Sequence, residues 1–255
     1  QFDANFGQNF GLTAAAIWQM QYTSAGPSGA SANYQKYSCT PEMYLGINVT
    51  AGGFLGRAGV NMLSICPRNL TAANLKTNER ITTLIPVMYL QYKTKFGEVP
   101  FAAKLKTVYA QAGEHLNLNG GYGVTSEDAD GKYTYAPTRN SSTWLSLSVG
   151  QKFQGVLFAG YVKNFGTAKN QELLDPVNQF YFSKNSFSKM NQMFRVTPTF
   201  MYNLGKFTFG VEYEGTGIQY GDWDLGTEDA KHGLATKDLH WVMNHRVQAM
   251  VKFTF

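Results

Sequence analysis

The chain has 255 residues, 22 Lys and Arg against 17 Asp and Glu, and a formal net charge of +5. Charged residues make up 15% of it, well under the usual share of about 25%, while aromatics reach 15% and glycines number 26. That balance excludes a disordered, collagenous or coiled-coil chain, and no run approaches the roughly 18 consecutive apolar residues of a membrane-spanning helix.

In chain order, the opening Gln1-Phe2-Asp3-Ala4 carries no basic and apolar leader, so the start reads as cleaved or truncated. Beyond it helical spacing is scarce and period-two alternation is pervasive, which predicts strands with two different faces. Residues 1–4 read as the tail of a strand cut short before the turn Asn5-Phe6-Gly7-Gln8. Further strands are predicted near 8–22, 39–51, 54–66, 80–93, 99–124, 142–151, 155–164, 192–203, 206–215 and 239–255, ten in all, with 99–124 expected to be one long strand. The turns Asn5-Phe6-Gly7-Gln8, Lys95-Phe96-Gly97-Glu98 and Asn203-Leu204-Gly205-Lys206 share a polar–apolar–Gly–polar form suited to tight hairpins. Longer polar loops fall near 23–40, 67–80, 125–141, 165–191 and 215–238. Short connections thus alternate with long ones, as in an outer-membrane barrel with tight periplasmic turns and long extracellular loops. The expected fold is all-β, a transmembrane antiparallel up-and-down β-barrel, with 1–255 a single barrel domain. Single-chain bacterial barrels close on an even number of strands. A stub plus ten is odd, so the domain is expected to lack an odd number of N-terminal strands.

Pairing residues across the turns tests the alternation. Centred on Phe96-Gly97, the pairs are Tyr92–Phe101, Leu90–Ala103, Met88–Leu105 and Leu84–Tyr109, with Gln91–Ala102, Tyr89–Lys104 and Val87–Lys106 opposite. Centred on Leu204-Gly205, they are Tyr202–Phe207, Phe200–Phe209, Pro198–Val211 and Val196–Tyr213, with Met201–Thr208, Thr197–Glu212 and Arg195–Glu214 opposite. Both hairpins sort into an apolar face ended by aromatics, read as lipid-facing, and a charged face, read as lumen. A slip of one residue would invert every side chain. Across Ala51-Gly52-Gly53-Phe54 the pairs Ile47–Ala58, Leu45–Val60 and Met43–Met62 extend outward to Cys39 opposite Cys66. Directly opposed Cβ atoms lie about 4.5–5.5 Å apart, near disulfide range, and the space outside the membrane is oxidising. A disulfide stapling this hairpin is expected, with two free rim thiols as the alternative.

The last strand places Val247, Ala249, Val251, Phe253 and Phe255 on one face and resembles the C-terminal assembly signal of outer-membrane barrels, carried by Val251, Phe253 and Phe255. Several stretches resemble the DcaP-like porins: Pro41-Glu42-Met43-Tyr44-Leu45-Gly46 running to Ser64-Ile65-Cys66-Pro67-Arg68; Gly120-Gly121-Tyr122-Gly123-Val124; Arg195-Val196-Thr197-Pro198; and Glu212-Tyr213-Glu214 with Tyr220-Gly221. The resemblance implies a homotrimeric outer-membrane diffusion channel of roughly sixteen strands, a size typical of porins. The two cysteines are not carried over from it.

Lumen parity collects Arg57, Lys93, Lys104, Lys106, Lys163, Arg195, Arg246 and Lys252 against Glu212 and Glu214, eight basic to two acidic. Basic rings in a pore select anions, and Tyr44 and Tyr89 on the same face offer stacking to sugars or aromatics. The expected function is therefore a passive channel for small hydrophilic or anionic solutes, with a mild anion preference, in the outer membrane of a Gram-negative bacterium. The alternative is a non-conducting barrel acting as adhesin, receptor or anchor. Asp222-Trp223-Asp224-Leu225-Gly226 has the look of a calcium loop but lacks the full pattern, so it reads as a solvated loop. Asp238-Leu239-His240 beside Asp222-Trp223-Asp224 invites comparison with barrel proteases. Both pairs sit at one loop, and none of His115, His232, His240 or His245 begins a His-x-Ser pair, so no enzyme and no cofactor are expected. The pI near 9.0 points to pore-lining bases, not to a nucleic-acid partner.

Overall fold

The structure, a computed structural model, describes residues 1–18, 24–116, 118–182 and 187–255. The chain forms β1 (Phe2–Phe6), β2 (Phe10–Ile17), the short helix α1 (Asn33–Ser38), β3 (Glu42–Ala51), β4 (Phe54–Ile65), β5 (Ile81–Phe96), β6 (Val99–Gln111), β7 (Gly121–Glu127), β8 (Tyr133–Pro137), β9 (Arg139–Gly150), β10 (Phe153–Gly166), β11 (Phe180–Phe182), β12 (Met190–Leu204), β13 (Phe207–Asp222), the one-turn helix α2 (Glu228–Lys231) and β14 (Lys237–Phe253). Eleven of these strands make one sheet in the order β1-β2-β3-β4-β5-β6-β9-β10-β12-β13-β14, every neighbouring pair antiparallel. These are the predicted stub and ten strands. The sheet is not closed: β1 and β14 are its two edges. The predicted strand over 8–22 is β2 as far as Ile17, and its last residues lie outside the described ones.

The remaining strands form a three-stranded mini-sheet, β11-β7-β8, that covers one face of the main sheet, here called inner. The outer face carries Phe96, Leu84, Met88, Tyr92, Phe153, Leu157, Phe200, Phe207, Phe209, Val247, Val251 and Phe253, all exposed. An apolar surface of that extent far exceeds the patches a water-facing monomer tolerates. Period-two alternation has done the sorting, because each ladder pair sets the face of its two residues.

Two hairpins differ from the sequence expectation. Phe96 pairs with Val99, and Leu204 with Phe207, so the loops are Gly97-Glu98 and Gly205-Lys206. Gly97 (φ +61) and Gly205 (φ +58) take the first loop position with positive φ, where a two-residue hairpin of matching twist needs glycine. Tyr92 therefore opposes Ala103 and Tyr202 opposes Phe209. The expected register was displaced by two residues, which leaves every side chain on the predicted face. The Gly52-Gly53 hairpin has the register expected, Met43 opposing Met62.

The stretch 99–124 is two elements rather than one. β6 ends at Gln111, Ala112 adopts φ +47, and a 3-10 turn over Gly113–Leu116 follows. β9 takes the free edge of β6, so residues from Gly121 onward have no place in the main ladder and pair instead with β8 and β11.

The Cys39–Cys66 disulfide is absent and both thiols are free. β3 begins only at Glu42. Before it, Cys39 closes α1 in the left-handed region (φ 50), its thiol donating to Lys36 O at 3.4 Å, while the Cys66 thiol donates to Arg68 O at 3.0 Å. The ladder stops short of the register that would oppose the two. Cys39 is exposed and Cys66 buried, with burial pushing the Cys66 thiol up. Maleimide labelling of the folded protein is expected to modify one thiol, at Cys39, and both after denaturation without reductant. No labelling before reduction would reveal the disulfide.

Candidate functional site

The inner face is banded. Toward the long-loop end its residues are apolar and covered. Tyr122 and Val124 of β7 and Tyr135 of β8 pack with Tyr34 of α1 onto Leu63, Ile65 and Ile81 of β4 and β5. Next to them Ile85, Val108 and Ala110 are buried against Val87 and Leu118. Tyr122 is fully buried, and its hydroxyl donates to Ala25 O at 2.7 Å. The segment 167–182 joins the same cap: Val124 N–H donates to Gln179 O, Leu174 N–H to Val124 O, and Leu173 N–H to Lys231 O beside α2. The stretch 165–191, one of the long polar loops of the sequence, thus supplies β11. Residues 183–186 of it lie outside the described ones.

One buried carboxylate holds the cap down. Glu79, with its side chain 2% exposed, receives Arg68 through two hydrogen bonds of 2.7 Å, Tyr133 N–H at 2.8 Å and Tyr135 O–H at 2.7 Å. Arg68 also donates to Gly131 O at 2.5 Å and lies 3.6 Å from the centre of the Tyr133 ring. Burial pushes the Glu79 carboxyl up, but the hydrogen bonds from Arg68, Tyr133 and Tyr135 outweigh it and hold the group below the usual carboxylate range. The β7–β8 hairpin is thereby fastened to the β4–β5 loop by charge-assisted bonds.

Toward the short-turn end the inner face is open and polar. A single cross-strand row runs Asn48, Arg57, Tyr89, Lys106, Trp144, Gly160, Arg195, Thr216, Asn244, each directly opposite the next. Cations and aromatics alternate along its centre. Tyr44, Arg57, Tyr89, Lys106 and Trp144 line a hollow of about 450 Å³. The Tyr89 and Trp144 rings lie 6.3 Å apart, and Trp144 lies 5.9 Å from Phe158.

Of the residues expected to line a lumen, Arg57, Lys93, Lys104, Lys106, Arg195, Glu212, Glu214, Arg246, Lys252, Tyr44 and Tyr89 share this face. Lys163 does not. It pairs with Ser141 and Gln192, on the outer-face parity of Tyr161, and donates to Asn191. The Trp144–Gly160 pair sets the parity of β10, and Lys163 lies three positions beyond Gly160, an odd step that puts it on the other face. Glu214 bridges Arg195 at 3.3 Å and Arg246 at 3.1 Å, and Glu212 accepts from Thr199 at 2.8 Å. Among the described residues Arg57, Lys93, Lys104, Lys106 and Lys252 have no carboxylate partner. Sequence reasoning passed over Trp144 and Phe158. Trp144 alternates with Ser142, Ser146 and Ser148, a polar-face signal that was there to be read.

At the rim, Asp222 pairs with Lys189 at 2.7 Å and Asp229 accepts from Thr236 at 2.8 Å. No group of three His, Cys, Asp or Glu placed to hold a metal occurs among the described residues. His240 Nδ1 lies 3.0 Å from Asp238 O, and His245 contacts the Tyr213 hydroxyl at 2.6 Å on the outer face. The side chain of His115 lies outside the described set.

No family model and no curated protein matches this sequence. Among solved structures, the outer membrane channel DcaP of Acinetobacter baumannii superposes with a TM-score of 0.59 at 13% identity, over 100% of this chain and 61% of that one. The chain has the DcaP fold. It spans 61% of the length of DcaP, and its sheet is an open antiparallel wall rather than a closed barrel. The resemblance seen in the sequence thus extends to the architecture of the whole chain, with so little identity that side chains have to be judged by their own geometry.

The latch yields a pH dependence. A carboxyl depressed by its partners contributes stability that is complete above the ordinary Glu range and lost as pH falls through its folded value. Hydrogen exchange over 121–137 is expected to accelerate on acidification. Glu79→Gln should loosen the hairpin at neutral pH, by the about 3–5 kcal/mol typical of a broken buried pair, and abolish the acid step, the two proteins converging once the wild-type carboxyl is protonated. Equal exchange in both proteins at neutral pH would refute the latch.

Proposed function

We propose that this chain is the wall of a passive outer-membrane channel of a Gram-negative bacterium, carrying small hydrophilic solutes with a preference for anions. The supporting observation is the row Arg57–Tyr89–Lys106–Trp144, which faces open space and joins Lys93 and Lys104 in a field of cations without carboxylate partners. Fixed positive charge along a water-filled path raises the local anion concentration, while Tyr89 and Trp144 offer π-faces to the apolar side of a solute. The outer face, apolar along its length and ended by aromatics, suits a lipid surround. The homotrimer belongs to the same reading, through its resemblance to DcaP-like porins.

A second reading has an observation of its own. The mini-sheet and its loops occupy the inner face at the long-loop end, which favours a non-conducting barrel displaying loops as an adhesin or receptor.

Planar-bilayer recording separates the two. The channel reading expects discrete conducting steps and a reversal potential on the anion side in a salt gradient. Lys104→Glu with Lys106→Glu should lower the anion-to-cation permeability ratio by roughly fivefold or more, the equivalent of about 1 kcal/mol for charges interacting through water. Absence of steps from protein shown to be inserted would favour the display reading. A cation-selective wild type would overturn the anion preference alone.

A further inference from the structure

The outer face carries a groove that a channel lumen does not use. Its floor is Gly155, within the cross-strand row Val149–Gly155–Phe200–Val211. A Cβ built on Gly155 would meet only Val149 Cγ1, at 3.9 Å, so the missing side chain leaves a notch in the wall. Phe153 and Phe200 stand beside it, 73% and 72% exposed, and Phe153 stacks on Tyr202 with centroids 4.9 Å apart. The hollow they border measures about 770 Å³ and is lined almost wholly by apolar side chains.

The short-turn end of this groove is cationic. Lys152, in the β9–β10 turn, holds its Nζ 5.9 Å from the Tyr202 ring. Lys206, in the β12–β13 turn, holds its Nζ 6.0 Å from the Phe253 ring. Neither meets a carboxylate among the described residues. The two turns are tied together, since Asn203 N–H donates to Lys152 O at 2.8 Å and the Asn203 amide to Gln151 O at 2.6 Å. An apolar slot that ends at two free ammonium groups, level with aromatic rings, matches one molecule: a lipid with a hydrocarbon tail and an anionic phosphate head.

We infer that this groove binds an anionic glycerophospholipid of the periplasmic leaflet, an acyl chain lying over Gly155 and the phosphate held by Lys152 and Lys206. The inference rests on the membrane-wall reading and goes beyond it in naming a lipid site. Bulk lipid needs no such notch. A retained lipid does, because the notch adds contact area to one chain and the lysines add attraction to an anionic head.

The test is native mass spectrometry of the full protein released from vesicles containing phosphatidylglycerol and phosphatidylethanolamine, with bilayer conductance recorded on the same samples. Wild type is expected to retain phosphatidylglycerol in preference to phosphatidylethanolamine. The double variant Lys152→Glu, Lys206→Glu should lose that preference roughly tenfold or more, the sum expected of two cations near an anionic surface. Gly155→Phe should displace the tail and lower retention of either lipid while conductance persists. Equal retention of the two lipids by inserted, conducting wild type, or unchanged retention in the lysine variant, would overturn the lipid site and leave the channel standing. A second copy of the chain bound in place of lipid would overturn it as well. Failure of wild type to insert or conduct would instead bring down the channel reading. The lysine variant alters only exposed turns, so the test stands even if Gly155→Phe fails to fold.

Discussion

An uninterrupted backbone ladder governs everything else in this molecule. From β1 to β14 each strand exchanges hydrogen bonds with its chain neighbour in the main sheet, and the register shifts at Asn164/Gly166, Met190/Gln192 and Tyr220/Asp222 all fall at the long-loop end. The span between carries no one-residue slip, so parity assigned on one strand holds on the next. That is why Arg57 and Arg195, with four strands between them, share one face and one row. It is also why β1 and β14 matter: in hydrocarbon an unpaired strand edge is untenable, so a membrane-inserted state of this sheet has both edges paired.

Within that frame the inner wall divides according to what covers it. Under the mini-sheet it is Leu63, Ile65 and Ile81, next to it Ile85 and Val108 packed against Leu118, and beyond these Arg57, Lys104, Lys106 and Tyr89. Glycines serve the open part: Gly46 and Gly59 pair across β3 and β4, and a Cβ on either would collide with the Tyr44 hydroxyl. Their absent side chains let Tyr44 lie along the wall instead of standing across the path. Glu42, buried deeper on the same strand, accepts from Asn61 at 2.5 Å and marks where the open wall gives way to the covered one.

Much of this was legible in the residues, because period two is a strong signal and glycine turns locate hairpins. The eleven strands of the main sheet, the faces of its hairpins and the alternation of short with long connections follow from those two features, whereas β7, β8 and β11 fall in stretches read as the end of a strand or as loop. Register was harder. Polar–apolar–Gly–polar turns leave open which two residues form the loop, and only the positive φ of Gly97 and Gly205 decides it. Residues 99–124 read as continuous because nothing in Ala112 announces a left-handed backbone, and the loss of the strand there depends on β9 taking the edge of β6. Cys39 failed for a related reason: the Gly52-Gly53 register is right, but α1 interrupts the ladder before it reaches the thiol. Lys163 was misplaced because none of the three hairpins paired in the sequence contains β10, so nothing fixed the parity of that strand. The Glu79 latch had no local signature, since Arg68, Tyr133 and Tyr135 are joined to it only by the folding of two loops.

The apolar seat beneath the mini-sheet also has a thermal character. Burial of Leu63, Ile65, Ile81 and their neighbours is driven largely by solvent entropy and weakens on cooling. Keeping Glu79 and Arg68 out of water becomes more costly in the same direction, because hydration of charged groups grows more favourable as temperature falls. Both restraints on the cap therefore slacken together in the cold. The loop end is the thermally soft part of the chain, while the ladder beneath it, held by backbone bonds, keeps its shape.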